Sequence, residues 1–149
     1  MEIIRAGKED LSEILSLQYE AYRSEAVLLN NKNIPPLQQT LADLQTEYAK
    51  NIFLKAIDDK GSIIGSVRCF SEGETVYIGK LMVKPTCQRK GIGTNLLLEV
   101  EKLCPNKRYE LFTSNKSLKN ISLYERLGYK IFAEKNLSDD LTLVYLEKC

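Results

Sequence analysis

The chain has no histidine in its 149 residues, and this absence removes more chemistry than any other feature of its composition. Histidine-based triads, Cys-His pairs and the zinc sites that mix the two residues are excluded. Proton transfer near neutral pH must then rest on carboxylates, tyrosine, lysine, cysteine or water. Cysteine is sparse: Cys69, Cys87, Cys104 and Cys149 show no CxxC spacing and are too few for a disulfide framework, so free thiols in a reducing compartment are expected. No apolar run approaches the roughly 18 residues of a membrane span. The opening MEIIRAGKEDL interrupts its first apolar patch with charge and has no leader pattern. A soluble, cytoplasmic protein is the expectation. Excess charge is missing too, with 21 Lys and Arg against 20 Asp and Glu. No overall attraction for nucleic acid or membrane follows, and any basic site must be local.

What is present suffices for one ordinary domain, since 44% of the residues are hydrophobic and a chain of this length buries a single sizeable core. A short alternating strand, EIIRA, precedes GKEDLSEILSLQYEAY, where Leu11, Ile14, Leu15, Gln18 and Tyr22 share one helical face. Gly7 is the expected cap, with Asp10 in the first turn. The segment VLLNNKNIPP reads as a loop, because Pro35 and Pro36 do not fit inside a helix. In LQQTLADLQTEY, Leu37, Leu41, Leu44 and Tyr48 return at helical spacing, which predicts a second amphipathic helix.

The period then changes. IFLKAI, SIIGSVRCF and TVYIGKLMV are apolar or alternating and are separated by the turn-rich DDKG and SEGE, which predicts three antiparallel strands. A helix ending near Pro105 follows, with Leu96, Leu97, Val100, Leu103 and Cys104 as its buried face. RYELFTS reads as a strand, SLKNISLYERLG as a helix stopped by Gly128, and YKIFAEK, NLSDD and LTLVYLEK as a final hairpin. The expected class is α/β in the mixed sense, a single domain over residues 1–149 whose mixed sheet carries helices on both faces.

The stretch CQRKGIGTNLLLEVEKLCP carries the chemistry. The first N–H groups of a helix lack intrahelical partners and lie at the positive end of its dipole, so an anion is bound there. Gly91 and Gly93 give access to the backbone, Arg89 and Lys90 add charge, and Thr94 adds a hydroxyl. A dinucleotide fingerprint would need glycine where Leu96 stands, and a Walker loop would need Gly-Lys-Ser or Gly-Lys-Thr. Glu110, about twenty residues on, is weak support for the dinucleotide reading.

The hexapeptide Gln88-Arg89-Lys90-Gly91-Ile92-Gly93 does match Q/R-x-x-G-x-G/A, the acyl-CoA pyrophosphate signature of the GNAT acetyltransferase superfamily, and the chain resembles that family. The match sits between the strand YIGKLMV and an apolar helix, and ISLYERLGYK resembles a second family marker, with Tyr124 at its tyrosine position. The resemblance is good from Ile52 onward; Glu2 to Lys50 match only as a strand and two helices. It implies a central, mostly antiparallel mixed sheet of about seven strands with about four helices, and acetyl-CoA as co-substrate with no metal.

By the same resemblance the backbone of Leu81, Met82 and Val83 receives the pantetheine arm, as an added strand would be received. Gln88, Arg89, Lys90, Gly91, Ile92, Gly93 and Thr94 meet the pyrophosphate, and Asn120 and Tyr124 also face the cofactor. The implied reaction is direct attack of a primary amine, from a small molecule or peptide, on the thioester, with Tyr124 as the acid for the leaving thiolate. Many relatives carry a carboxylate on the strand before the loop, whereas YIGKLMV has Gly79 and Lys80. Glu20, Glu25 and Glu74 are the alternative bases, each also readable as a solvated charge. An acyl-cysteine route through Cys87 lacks a histidine to activate it. Tyr19, Tyr22 and the loop prolines are candidate walls of an acceptor pocket. The resemblance also allows a homodimer, while nucleic acid and membrane are not implied. Two other readings stay open: a non-catalytic acyl-CoA sensor, favoured by the missing strand carboxylate, and a nucleotide-binding α/β protein, disfavoured by the failed glycine fingerprints.

Overall fold

The short alternating start forms β1, Glu2–Arg5, in a computed structural model that describes Met1–Cys149. The Gly7 N–H donates to the Asp10 carboxylate at 2.8 Å, closing a single 3-10 turn that leads into α1, Leu11–Leu28. Leu11, Ile14, Leu17 and Gln18 are the buried face of α1, close to the spacing read from sequence.

Between residues 27 and 48 the structure departs from that reading in two ways. The loop holds a one-turn helix, α2, Pro35–Gln38, with proline at its first two positions. Proline is tolerated there because its φ suits a helix and its missing N–H would have had no intrahelical acceptor. The second amphipathic helix, α3, runs only over Leu41–Tyr48. Gln39 and Thr40 are extended, and Thr40 starts α3 by a reciprocal cap: the Asp43 N–H donates to Thr40 Oγ1 at 3.2 Å, and the Thr40 N–H donates to Asp43 Oδ2 at 2.9 Å.

The three predicted strands are β2, Ile52–Ile57, β3, Ile63–Glu72, and β4, Thr75–Val83, paired antiparallel in succession. Then come α4, Ile92–Leu103, β5, Arg108–Ser114, α5, Leu118–Arg126, β6, Lys130–Ser138, and β7, Leu141–Lys148. The sheet has seven strands in the order β1-β2-β3-β4-β5-β7-β6. Its only parallel pair is β4 with β5.

Alternation along the central strands assigns each face its helices. Leu54, Ala56, Val67 and Cys69 pack with Ile92, Leu96, Leu97 and Val100 of α4, in a core that also takes Tyr109, Tyr124, Tyr129 and Val144. Phe53, Ile63 and Met82 pack with Leu11, Ile14, Leu17 and Leu44 of α1 and α3. Burying such side chains is worth about 1.5–3 kcal/mol each. Leu103, expected on the inner face of α4, is 41% exposed because the helix ends there, ahead of Pro105.

The feature that shapes the site is local to β4. Arg68 pairs with Gly79 and Ser66 with Met82, so three steps on β4 oppose two on β3, and Lys80 takes the left-handed conformation, φ 52°. A bulge of this kind bends its strand. Parallel pairing with β5 is confined to Thr75–Tyr77 against Arg108–Glu110, and it stops two residues before the bulge.

Candidate active site

The loop before α4 has the donor arrangement that its glycine pattern suggested. None of the backbone N–H groups from Gln88 to Thr94 donates to a backbone carbonyl, and the first bond of the helix is Asn95 N–H to the Gly91 carbonyl at 3.0 Å. Arg89 and Gly91 are both left-handed, φ 66° and 79°, and turn the chain onto the helix start. The two glycines have different jobs. Gly91 supplies backbone conformation, since an added Cβ would meet nothing within 4 Å. Gly93 supplies close packing, since a Cβ there would lie 3.3 Å from Leu123 Cδ2 of α5. Arg89 and Lys90 are exposed, and no carboxylate occurs between Lys84 and Thr94. Unpartnered amides, a helix dipole and two cations are what a diphosphate needs.

Where β4 parts from β5, a cavity of about 610 Å3 opens. The Lys84 N–H donates to the Ile64 carbonyl of β3 at 2.8 Å. By strand alternation Leu81 and Val83 therefore turn their backbone groups toward the gap, and Met82 turns its own toward β3. Gly79, Lys80 and Leu81 line the cavity from β4, Ser114 from β5, Asn120 and Tyr124 from α5, and Tyr22 and Glu25 from α1. Pro35 and Pro36 also line it, whereas Tyr19 donates its hydroxyl to the Gln39 carbonyl and does not.

Tyr124 is buried, with no protein partner for its hydroxyl. Burial, and after it Tyr22 and Glu25, push its pKa well above the ordinary tyrosine range. Burial and then the Glu25 carboxylate raise Tyr22 to about 12, against an opposing pull from Arg68. Glu25 is held by the Ser117 hydroxyl, which donates to it. The remaining candidate bases are elsewhere. Glu20 lies in a separate shallow pocket with Glu13, Ser62 and Lys84. Glu74 is exposed at the β3–β4 hairpin, 3.3 Å from Lys107. Cys87 sits in a 3-10 turn, Pro85–Cys87, outside the cavity lining.

The structure adds residues that the sequence reading passed over. Arg68, on β3 and 3% exposed, donates to Glu47 at 2.6 Å and to Gln18, and its guanidinium lies 4.7 Å from the Phe53 ring centre. Gln18 donates to the Pro36 carbonyl and to Gln39, and Gln39 donates to Glu47, each within 2.9 Å. This network ties α1, α2 and α3 to the sheet beside the cavity. One signal was readable: a lone charge, Arg68, inside the apolar SIIGSVRCF. Lys80 lines the same cavity, and burial followed by Arg68 lowers its pKa, with Glu47 opposing.

The model of the acetyltransferase (GNAT) family matches residues 9–129, a span that holds the amide loop, the strand parting and Tyr124. The chain belongs to the GNAT acetyltransferase family. Among curated relatives, the UPF0157 protein YqkA of Bacillus subtilis (strain 168) is 28% identical over 119 residues, 79% of this chain and 34% of that protein. The chain spans about a third to a half of the length of the curated relatives it matches. The PaiA N-acetyltransferase of Thermoplasma acidophilum, solved in complex with coenzyme A, superposes with TM-score 0.81 at 20% identity, over 99% of this chain and 97% of its own. The GNAT superfamily phosphinothricin acetyltransferase of Sinorhizobium meliloti, solved with AcCoA, gives 0.78 at 17% identity, over 99% and 86%. At these identities the likeness is one of fold, and the seven-stranded mixed sheet flanked by helices is the GNAT architecture. No helix is long and apolar enough to cross a membrane.

Proposed function

We propose that this chain transfers the acetyl group of acetyl-CoA to a primary amine by direct attack in one ternary complex. The observation that carries the reading is a juxtaposition: the loop of unpartnered amides at the start of α4 packs through Gly93 against Leu81, and Leu81 lies on the free strand edge that walls a cavity with Tyr124 on another side. The two solved GNAT structures named above hold coenzyme A and AcCoA. In this reading Gln88 to Thr94 bind the pyrophosphate, Leu81 and Val83 hydrogen-bond the pantetheine arm with Met82 holding their strand to β3, and Asn120 lies alongside.

The amine nitrogen attacks the thioester carbon, the C–S bond breaks, and the thiolate takes a proton from Tyr124. The proton lost by the amine passes to the Glu25 carboxylate, directly or through water. Glu25 takes this role over Glu20 and Glu74 because, of the three, it alone lines the cavity. A second reading, acyl-CoA binding without turnover, draws on Gly79 and Lys80 standing where relatives carry a carboxylate.

Thermal-shift measurements with acetyl-CoA, CoA, NAD and ATP, followed by thiol-release assays across an amine panel, test the proposal. Stabilisation by both CoA species and amine-dependent thiol release are expected. Stabilisation by NAD or ATP alone would overturn it, and acetyl-CoA binding without release on any amine would favour the second reading.

A further inference from the structure

Three carboxylates and two cations line the cavity, and four of these five side chains already have partners. Glu47 pairs with Arg68 at 2.6 Å, Glu110 pairs with Arg108 at 2.8 Å, and Glu25 accepts from the Ser117 hydroxyl. Lys80 is the fifth. It is half-buried in the β4 bulge, next to Gly79, whose strand partner is Arg68, and it makes no ion pair or side-chain hydrogen bond; Arg68 and Glu47 are the charges that act on it. Arg68 presents a second unmet donor, because its Nε–H is buried and has no acceptor.

Only Glu47 answers these two cations, and the other groups on the network, Gln18 and Gln39, are neutral. The cluster thus holds one positive charge more than its carboxylates, and a poorly solvated ammonium left without a counterion is unfavourable. A singly charged anion entering the cavity removes that imbalance. The Glu25 carboxylate, partnered only by a neutral hydroxyl, is left to face the ammonium or amine of such a ligand. Two aromatic pairs complete the walls: Phe70 with Tyr77, ring centres 5.1 Å apart, and Phe112 with Tyr145, 5.4 Å apart.

We propose that the acceptor is an amine that also bears a carboxylate, an amino acid with an aromatic or large apolar side chain. Its carboxylate lies against the Lys80 ammonium on the Arg68 side, its amine faces Glu25, and its side chain runs along the aromatic rings. The proposal rests on the acetyl-transfer reading for the cavity's role as acceptor site.

The test is calorimetric titration of matched pairs, L-phenylalanine against phenethylamine and L-leucine against isoamylamine, into protein saturated with coenzyme A. The wild type is expected to bind each amino acid at least about tenfold more tightly than its decarboxylated partner, the discrimination of a charge-assisted contact. Lys80→Met should bring that ratio to near one, and Lys80→Arg should preserve most of it. Equal or tighter binding of the decarboxylated amines, failure of both amino acids to bind, or a ratio unmoved by Lys80→Met overturns the proposal.

Thiol-release kinetics with the same pairs give a second readout. If Lys80 instead takes the amine's proton, Lys80→Met lowers kcat for both members of a pair equally, and the proposal falls. Titration without coenzyme A separates this from failure of acetyl transfer. Lys80-dependent amino acid binding by a protein that shows no turnover would leave the carboxylate site standing and remove the reaction.

Discussion

Tyr124 stands on α5 with its ring against the core and its hydroxyl free of any protein partner. Replacing it by phenylalanine keeps the packing and removes the proton donor. Tyr124→Phe should lower kcat at least about tenfold, or 1.4 kcal/mol, with acetyl-CoA affinity little changed. Unchanged turnover in a thiol-release assay would take Tyr124 out of the acid role. Gly91 tests the loop. At φ 79° any side chain is strained, and a carboxylate there would face the bound anion. Gly91→Glu should abolish binding of coenzyme A, and Gly91→Ala, which adds no charge, should weaken it less. Normal affinity of the glutamate variant would refute the phosphate assignment. At this scale the loop was legible because glycines, basic residues and the following helix are contiguous in the chain. Arg68, Glu47 and Lys80 were not, because their meeting depends on how β3, α3 and the bulged β4 come together.

The elements divide in the same way. α4 declares itself through Leu96, Leu97 and Val100, which become fully buried against β2, β3 and β4. Leu97→Ala should cost about 2–5 kcal/mol of unfolding free energy, since it opens a cavity in the centre of the main core. Urea titration by circular dichroism measures this, and a loss below about 1 kcal/mol would mean that the surroundings collapse to fill the gap. α3 was legible by period but not by boundary. Leu37 continues the spacing of Leu41 and Leu44, yet the Thr40 cap starts a new helix. The bulge of β4 was hidden for a related reason: YIGKLMV reads as a straight strand, and nothing in that string says that Lys80 turns left-handed. The register imposed by β3 does.

Across the whole molecule, the buried Tyr124 and Tyr129 and the partly buried Tyr22 have pKa values raised above the ordinary value of about 10, chiefly by burial. A group whose folded pKa is raised lends its full stability below the unfolded pKa and loses it as the pH climbs through the folded one. Stability should therefore hold up to about pH 9.5 and fall between about pH 10 and 12. Denaturation midpoints across that range check the sign, and Tyr22→Phe should flatten the decline. By itself the sequence determined what is encoded in neighbouring residues: the order of the strands and longer helices, the glycine loop at a helix start, the family marker at Tyr124, and the exclusion of histidine chemistry. These depend on local periods of 3.6 and 2 and on the conformational freedom of single residues. The cavity belongs to tertiary structure. Its charge balance joins α1, α3, β3 and β4, and its opening depends on where parallel pairing between β4 and β5 stops. Such features arise from long-range packing and strand register, which no short window of residues contains.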